Sequence, residues 1–304
     1  MIQRVINYFL VACFISFVFL TNAYAQQKIK IVTTIGQISN VTEIIGGDYV
    51  QAHGLMGAGV DPHLYKASES DVEKLSSSQM IFYNGLNLEA KMGEIFSRMG
   101  GARRTVAVTS EIASDLLLVS DQFQGHPDPH VWFDVTLWMK VAEKIASELA
   151  LFDPPNAATY NERAQKYLQE LEQLHNYVKT RTEELSPEQR VLVTAHDAFR
   201  YFGRAYGFEV VGLQGISTES EAGTADIKRI ADFITERKIK AIFVESSVPE
   251  RNIKAVQEAV RSRGWEVKIG GELFSDAMGS QGTFEGTYIG MVTHNIDMIV
   301  NALK

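Results

Sequence analysis

The tripeptide Asp-Pro-His occurs twice in this chain, at 61–63 and at 128–130. The composition of the 304 residues would produce only about 0.01 such tripeptides by chance. Proline fixes φ and keeps a helix from absorbing the turn, so each histidine should be presented from a rigid loop. The preceding aspartate can bond the local backbone or orient the imidazole. Although a single loop histidine is usually solvated, the matched pair favours two metal-ligating imidazoles, His63 and His130.

Two further candidate ligands follow apolar runs that resemble strands. His196 comes directly after the run at 191–195, and Asp276 lies in the loop that follows the glycine pair at 270–271. Ligands of open α/β sheets bind at the carboxyl ends of strands, which is where both residues are predicted to lie. Three imidazoles and one carboxylate suit zinc, manganese, iron or copper, and they suit calcium or magnesium poorly. We therefore predict one metal site made of these two residues and the two repeated histidines.

Short β-branched runs alternate with helical patterns along the chain. Buried strands are predicted at 30–34, 80–84, 105–109, 191–195, 241–245 and 267–270. Amphipathic spacing predicts helices between them, for example over 224–238. This alternation indicates an α/β fold whose mostly parallel sheets are connected by right-handed crossovers.

A polar helical pattern begins at Asp153-Pro154-Pro155 and continues to about Leu185. Proline is favourable at the first helical positions, and a helix of this length would span about 45 Å. We predict two α/β lobes, residues 26–153 and 187–304, joined by a single connector helix at 154–186. The alternative is a long surface helix within one domain.

The composition excludes several classes of protein. Hydrophobic residues make up 45% and charged residues 22% of the chain, as in an ordinary globular protein and unlike a disordered, collagenous or multi-span membrane protein. The formal net charge is −8, so the basic surface that binds phosphate backbones is missing and nucleic acid is not an expected partner.

The first 25 residues have the pattern of a cleaved signal peptide for export to the periplasm. Arg4 is their only charged side chain, an apolar stretch covers 8–20, and Ala23-Tyr24-Ala25 forms a small-x-small cleavage site. Two alternatives are a membrane anchor, for which the stretch is shorter than the ~20 residues needed, and lipidation at Cys13. Cleavage would remove Cys13, the only cysteine of the chain, so the exported protein would have neither disulfides nor thiolate ligands.

The predicted ligands are divided between the predicted lobes. His63 and His130 belong to the first, whereas His196 and Asp276 belong to the second. The ion would therefore lie in the cleft, and its binding would be coupled to the arrangement of the lobes. Such coupling is typical of a receptor.

The whole exported chain resembles the TroA-like, cluster A-I metal-binding receptors of bacterial ABC transporters. The resemblance rests on five segments: 60–63 (VDPH), 126–134 (HPDPHVWFD), 194–199 (TAHDAF), 270–278 (GGELFSDAM) and 288–294 (YIGMVTH). It implies two α/β lobes joined by a long helix, limited closure, and delivery of Zn²⁺ or Mn²⁺ to a membrane permease. It also implies the same four ligands, and a monomer is expected.

The resemblance leaves the choice of metal open. The manganese-leaning branch has glutamate where this chain has His196, and the Irving-Williams order places zinc above manganese. The zinc-dedicated branch, however, carries a histidine-rich loop, and the stretch 114–125 has no histidine. We therefore expect Zn²⁺ or Mn²⁺ without ranking them.

Two other classes of function compete with a receptor. An exported zinc hydrolase would need Asp276 to act as a base beside an open coordination position. The chain contains neither a His-Glu-x-x-His motif nor a Gly-x-Ser-x-Gly motif, so we do not expect an enzyme. A metal-binding adhesin is suggested only by export and the acidic charge. His126 and Glu245 could either assist the metal site or serve the structure alone.

Overall fold

The computed structural model describes residues 27–120, 123 and 125–304. The predicted signal peptide at 1–25, with Cys13, therefore lies outside the described residues. Among those that are described, no helix combines the length and the apolar character needed to cross a membrane.

The first lobe contains a four-stranded parallel sheet. Its strands are β1 (Ile29–Thr33), β2 (Val50–Gly54), β3 (Met80–Tyr83) and β4 (Arg104–Ala107), in the spatial order β2-β1-β3-β4. Its helices are α1 (Gly36–Gly46), α2 (Glu69–Ser77) and α3 (Gly93–Gly100). The predicted strands at 30–34, 80–84 and 105–109 are confirmed as β1, β3 and β4. Strand β2 was not predicted, because it lies at the sheet edge and only Val50 in it is fully buried, so it has no apolar run.

The second lobe contains four more parallel strands. These are β5 (Val191–His196), β6 (Glu209–Gln214), β7 (Ala241–Glu245) and β8 (Lys268–Leu273). Strand β5 pairs with β6, β7 pairs with β8, and β5 lies beside β7. The predictions at 191–195, 241–245 and 267–270 correspond to β5, β7 and β8. Helices α6 (Arg200–Tyr206), α7 (Thr224–Arg237) and α8 (Arg251–Arg261) connect them.

The predicted long helix is present. After α4 (Val135–Phe152), the two prolines form a 3-10 turn at Pro154–Asn156, and α5 then runs over 26 residues, Ala157–Thr182. At 1.5 Å per residue it is about 39 Å long. Its buried residues recur every three or four positions and form one stripe: Tyr160, Ala164, Tyr167, Leu171, Leu174 and Val178. The stripe packs against α1 and α4 of the first lobe and against the C-terminal helix α9 (Tyr288–Leu303). The exact lobe boundaries at 153 and 187 stay a prediction.

Aromatic rings join the two lobes. Phe133 stacks on Phe199 with ring centroids 4.1 Å apart, and Trp138 stacks on Tyr288 at 5.1 Å. The Tyr288 hydroxyl donates to the carbonyl of Trp132 at 2.7 Å. All five residues are buried and belong to one hydrophobic cluster that continues from the first lobe into the second. Such a continuous core resists large relative movement of the lobes. The limited closure implied by the family resemblance stays a prediction.

Candidate metal centre

The two Asp-Pro-His turns have the same local structure. Oδ1 of Asp61 accepts the backbone N–H of His63 at 2.9 Å, and Oδ1 of Asp128 accepts that of His130 at 3.0 Å. Each aspartate thus closes a side-chain turn around its proline. Both imidazoles are directed inward, and His63 is 2% and His130 0% exposed.

The second lobe contributes its two candidate ligands from strand ends. His196 is the last residue of β5, and its backbone N–H donates to Oε1 of Glu245, the last residue of β7, at 2.8 Å. Asp276 lies three residues beyond the end of β8 and is 1% exposed. Its carbonyl accepts a hydrogen bond from the Gln37 amide of α1 at 3.2 Å. The carboxyl ends of the second-lobe strands therefore face the two turns of the first lobe.

All four predicted residues are brought together. Their candidate ligand atoms lie within 4.8 Å of one another. Nε2 of His63 lies 3.3 Å from Nε2 of His130 and 3.6 Å from Oδ2 of Asp276. Asp276 also places Oδ1 3.2 Å from Nε2 of His130 and Oδ2 3.3 Å from Nε2 of His196. Ligands held at about 2.0–2.1 Å around a tetrahedral ion are separated by about 3.3–3.4 Å. The spacing of this cluster fits such an ion.

Several of the converging atoms have no hydrogen-bond partner. Nε2 of His196 and both carboxylate oxygens of Asp276 are buried and make no hydrogen bond among the described residues; their nearest polar neighbours are the other atoms of the cluster, at 3.2–3.6 Å. Leaving buried polar atoms unpaired is costly, and for a buried charge the cost is larger. A cation bound between these atoms would satisfy them, so the cluster has the chemistry of an ion-binding site.

The electrostatics divide the cluster into protonated and unprotonated groups. Burial raises the pKa of Asp276, but His196 and His130 outweigh it and hold the pKa well below its usual range. Burial lowers the pKa of His63 to about 3, only partly opposed by Asp276. Burial also lowers the pKa of His130, but the Asp128 and Asp276 carboxylates outweigh it and raise that pKa to about 9. His63 is therefore neutral and ready to ligate, whereas His130 must lose a proton first.

The pKa of His196 is raised for the same reason as that of His130. Burial lowers its pKa, but the Glu245 and Asp276 carboxylates raise it well above the usual value. An ion that binds here must therefore displace the proton of this imidazole too.

Carboxylates behind two of the imidazoles fix which nitrogen faces the site. Nδ1 of His130 donates to Oδ1 of Asp128 at 2.7 Å, and Nδ1 of His196 donates to Oε2 of Glu245 at 2.5 Å. With Nδ1 carrying the hydrogen bond, Nε2 is the nitrogen available to a metal. Glu245 therefore holds the His196 ring in this orientation through both of its oxygens, and its support of metal binding stays a prediction. Trp132 packs edge-on against His130, with ring centroids 5.2 Å apart.

The other histidines lie outside the cluster. His126 is exposed and contacts the ring of Phe123. The His175 ring is 3.2 Å from the Tyr206 hydroxyl, and His294 donates to the carbonyl of Glu272 at 3.0 Å. His53, on β2, lines a groove of about 240 Å³ that also reaches Asp276. None of them supplies a ligand atom to the four-residue group.

Two polar residues near the site were not found by sequence reasoning. The hydroxyl of Thr218 donates to Asp61 at 2.6 Å, and Nη1 of Arg200 lies 3.7 Å from Oδ2 of Asp128. Both belong to the second lobe, and each contacts the aspartate of one Asp-Pro-His turn. Neither residue lies in a motif, so no sequence signal could have revealed these contacts.

Comparison with known proteins identifies the family. Residues 31–302 match the family model described as zinc-uptake complex component A, periplasmic. The chain belongs to this family.

Two relatives are similar to the chain over nearly its whole length. It is 52% identical over 282 residues to the zinc-binding protein TroA of Treponema pallidum (strain Nichols), which covers 93% of this chain and 91% of that protein. It is 44% identical over 280 residues to the manganese-binding lipoprotein MntA of Bacillus subtilis (strain 168), with 92% and 91% covered. These relatives are metal-binding proteins, so the expectation that the chain is not an enzyme is confirmed.

Solved structures confirm the fold predicted for this zinc-uptake family member. The periplasmic zinc-binding protein TroA of Treponema pallidum matches with a TM-score of 0.89 at 52% identity, covering 91% of this chain and 99% of that one. A manganese-bound mutant of the periplasmic metal-binding protein of Candidatus Liberibacter asiaticus matches with a TM-score of 0.81 at 27% identity, covering 91% and 100%. The two-lobed α/β architecture with a long helix is thus established, and nothing found supports a hydrolase or an adhesin.

The contact between Glu245 and His196 gives a first testable prediction. Glu245→Gln keeps an oxygen for the His196 backbone N–H but removes the negative charge that holds the proton on Nδ1. We expect metal affinity to fall by about 10–100-fold, the usual cost of losing such a partner. Calorimetric titration with Zn²⁺ measures the change. The control is Glu236→Gln, which removes the same charge from an exposed position on α7 away from the site. This variant should bind Zn²⁺ with the affinity of the original protein. Equal affinities of the two variants would contradict the role of Glu245.

Proposed function

We propose that the protein is the metal-binding receptor of an ABC transporter, that it binds one Zn²⁺ or Mn²⁺ ion through His63, His130, His196 and Asp276, and that it delivers the ion to a membrane permease. The observation that carries this proposal is the convergence of four buried groups, among which Nε2 of His196 and both carboxylate oxygens of Asp276 make no hydrogen bond within the described residues. Nitrogen and oxygen ligands of this kind suit transition metals.

The position of Asp276 favours a receptor over a hydrolase. Both of its carboxylate oxygens face imidazole nitrogens, at 3.2–3.6 Å. When this carboxylate ligates, four protein groups surround the ion and no position remains to activate water. A base acting on a metal-bound water would instead have to stand back from the cluster.

The Asp276 carboxylate is also suited to hold either of the two metal ions. With one oxygen bound, the site offers four ligands, as zinc prefers. Because Oδ1 and Oδ2 both face the cluster, the second oxygen is placed to serve an ion that takes more ligands, such as Mn²⁺. We propose that both ions are bound, with zinc the tighter of the two at equal supply.

The proposed location and partner follow from the family and the leader sequence. We propose export through the signal peptide at 1–25, release into the periplasm as a monomer, and transfer of the ion to the permease. The ion would be held between the lobes at 26–153 and 187–304, with the connector helix at 154–186 alongside them. Lipid attachment at Cys13 is the alternative location, and mass spectrometry of the purified protein distinguishes the two.

Titration of metal-stripped residues 26–304 tests the function. We expect one tight equivalent of Zn²⁺ and, separately, one of Mn²⁺, because the described chain contains one such cluster. Binding to the folded state also raises the free energy of unfolding, by about 4 kcal/mol when free metal is 1,000 times the dissociation constant. The melting temperature should rise accordingly in differential scanning calorimetry. If neither ion binds, the receptor proposal fails.

A further inference from the structure

Each aspartate of the repeated tripeptide divides its two oxygens between the lobes. Oδ1 bonds the histidine of its own turn, as described above, whereas Oδ2 faces the second lobe. Oδ2 of Asp61 accepts the hydroxyl of Thr218 at 2.6 Å, and Oδ2 of Asp128 lies 3.7 Å from Nη1 of Arg200. We call these two pairs the interlobe carboxylate contacts. The repeated sequence therefore produces a repeated connection across the cleft.

The Thr218 contact is the stronger of the two. Thr218 is 6% exposed and donates a short hydrogen bond to a carboxylate oxygen, a stronger acceptor than a neutral side chain. Its segment, between β6 and α7, is anchored by the Gln214 amide, which donates to the carbonyl of Ser220 at 3.1 Å. The adjacent Glu219 lies 3.3 Å from Lys91 of the first lobe, but this pair is exposed and adds little. Thr218 is thus held in place where it meets Asp61.

The Arg200 contact is an ion pair without a hydrogen bond. Nη1 of Arg200 and Oδ2 of Asp128 are both buried and otherwise unpaired among the described residues. Arg200 also lies 3.8 Å from Asp197 of its own lobe, so its charge is shared between two carboxylates. Its effect on Asp128 should be smaller than that of Thr218 on Asp61.

We infer that Thr218 and Arg200 are positioning residues that hold the two Asp-Pro-His turns against the second lobe and thereby slow release of the ion. This inference rests on the proposed function. Release requires His63 and His130 to separate from His196 and Asp276, because the ligand set is divided between the lobes. The interlobe carboxylate contacts must break in the same movement. Removing one of them should therefore accelerate dissociation more than association.

The test measures the rates of Zn²⁺ binding and release in the full chain, with a colorimetric chelator in excess for release. Thr218→Val keeps the shape of the side chain and removes the hydroxyl. We expect release to become about 10-fold faster, the usual value of a hydrogen bond to a charged group, and association to stay nearly unchanged. Thr218→Ser, which keeps the hydroxyl, should release at close to the original rate.

A matched control separates this effect from general loss of stability. Thr235→Val, on α7 of the same lobe, removes a hydroxyl whose only hydrogen bond among the residues that the structure describes is to the Ala231 carbonyl of its own helix. This variant should release Zn²⁺ at the original rate. Release at the original rate from Thr218→Val would overturn the inference. Equal acceleration by Thr218→Ser and Thr218→Val would also overturn it, since packing of the methyl group would then be responsible.

A second pair of variants tests the arginine. Arg200→Gln should accelerate release by about 3-fold. Arg204→Gln is its control, because Arg204 lies on the same helix and also reaches the first lobe, at the Leu116 carbonyl and at Asp134, but contacts neither tripeptide. If Arg204→Gln accelerates release as much as Arg200→Gln, the effect is general to contacts between the lobes and the role of Arg200 is refuted.

One measurement does not depend on metal. In the metal-free chain, amide hydrogen exchange over 216–222 should be faster in Thr218→Val than in the original protein or in Thr235→Val. If the original protein binds neither Zn²⁺ nor Mn²⁺, the proposed function fails, whereas this exchange result still decides whether Thr218 holds its segment to Asp61. Unchanged exchange would show that it does not.

Discussion

Asp276→Ala should abolish tight binding of both Zn²⁺ and Mn²⁺. Asp276 supplies the only negative charge among the four converging groups, and both of its oxygens face the imidazoles at 3.2–3.6 Å. The variant loses a ligand and also the negative charge that offsets the charge of the ion. Its metal affinity should therefore fall further than after loss of a residue that only supports a ligand, which costs about 10–100-fold. We expect an affinity at least about 1,000-fold weaker, measured by calorimetric titration.

A control for Asp276→Ala must lose the same charge elsewhere. Asp48 is suitable, because its side chain is 97% exposed and its only ion pair within the described part of the chain, to Lys28, is long at 3.9 Å. Asp48→Ala should bind both ions with the original affinity. Circular dichroism of the metal-free proteins checks that Asp276→Ala is still folded. An unchanged titration of a folded Asp276→Ala protein would falsify the proposed site.

The four residues of the candidate site could be predicted because their signals are local in the sequence. The Asp-Pro-His tripeptide specifies its own turn, since the aspartate bonds the histidine two residues later in both copies. His196 and Asp276 were found from the ends of apolar strands, which the parallel topology brings to one edge. None of these inferences required knowledge of which distant segments meet.

The elements that escaped prediction lack such local signals. Strand β2 has only Val50 fully buried and forms no apolar run, and in β6 Gly212 interrupts a short apolar run whose side chains are mostly only partly buried. Strand β2 even carries the exposed His53. At an edge, strand formation depends on the pairing partner more than on the residues themselves.

The interlobe carboxylate contacts escaped prediction for a related reason. Thr218 and Arg200 are ordinary polar residues in sequence, and their importance arises only because folding places them opposite Asp61 and Asp128. Glu245 is an intermediate case. Its position at the end of β7 suggested a supporting role, but only the structure shows both of its oxygens bonded to His196.

Lowering the pH from 7.5 to 5.5 should weaken metal binding on the order of 10⁴-fold. In the metal-free site the pKa of His130 is raised to about 9, and that of His196 is raised well above its usual value. Both imidazoles therefore hold protons across this range, and an ion must displace both. Each displaced proton makes binding about tenfold weaker per pH unit of acidification. His63, with a pKa of about 3, and Asp276, whose pKa is well below its usual range, do not change protonation in this window.

The number of displaced protons can be measured directly. Titrations with Zn²⁺ at pH 7.5 in two buffers of different ionisation enthalpy should give a release of about two protons per ion. Glu245→Gln removes one of the two carboxylates that raise the pKa of His196. That variant should therefore bind more weakly at pH 7.5 and lose less of its affinity on acidification. A pH-independent affinity between 7.5 and 5.5 would show that the imidazoles do not ligate the ion, because a protonated histidine has no free nitrogen for a metal.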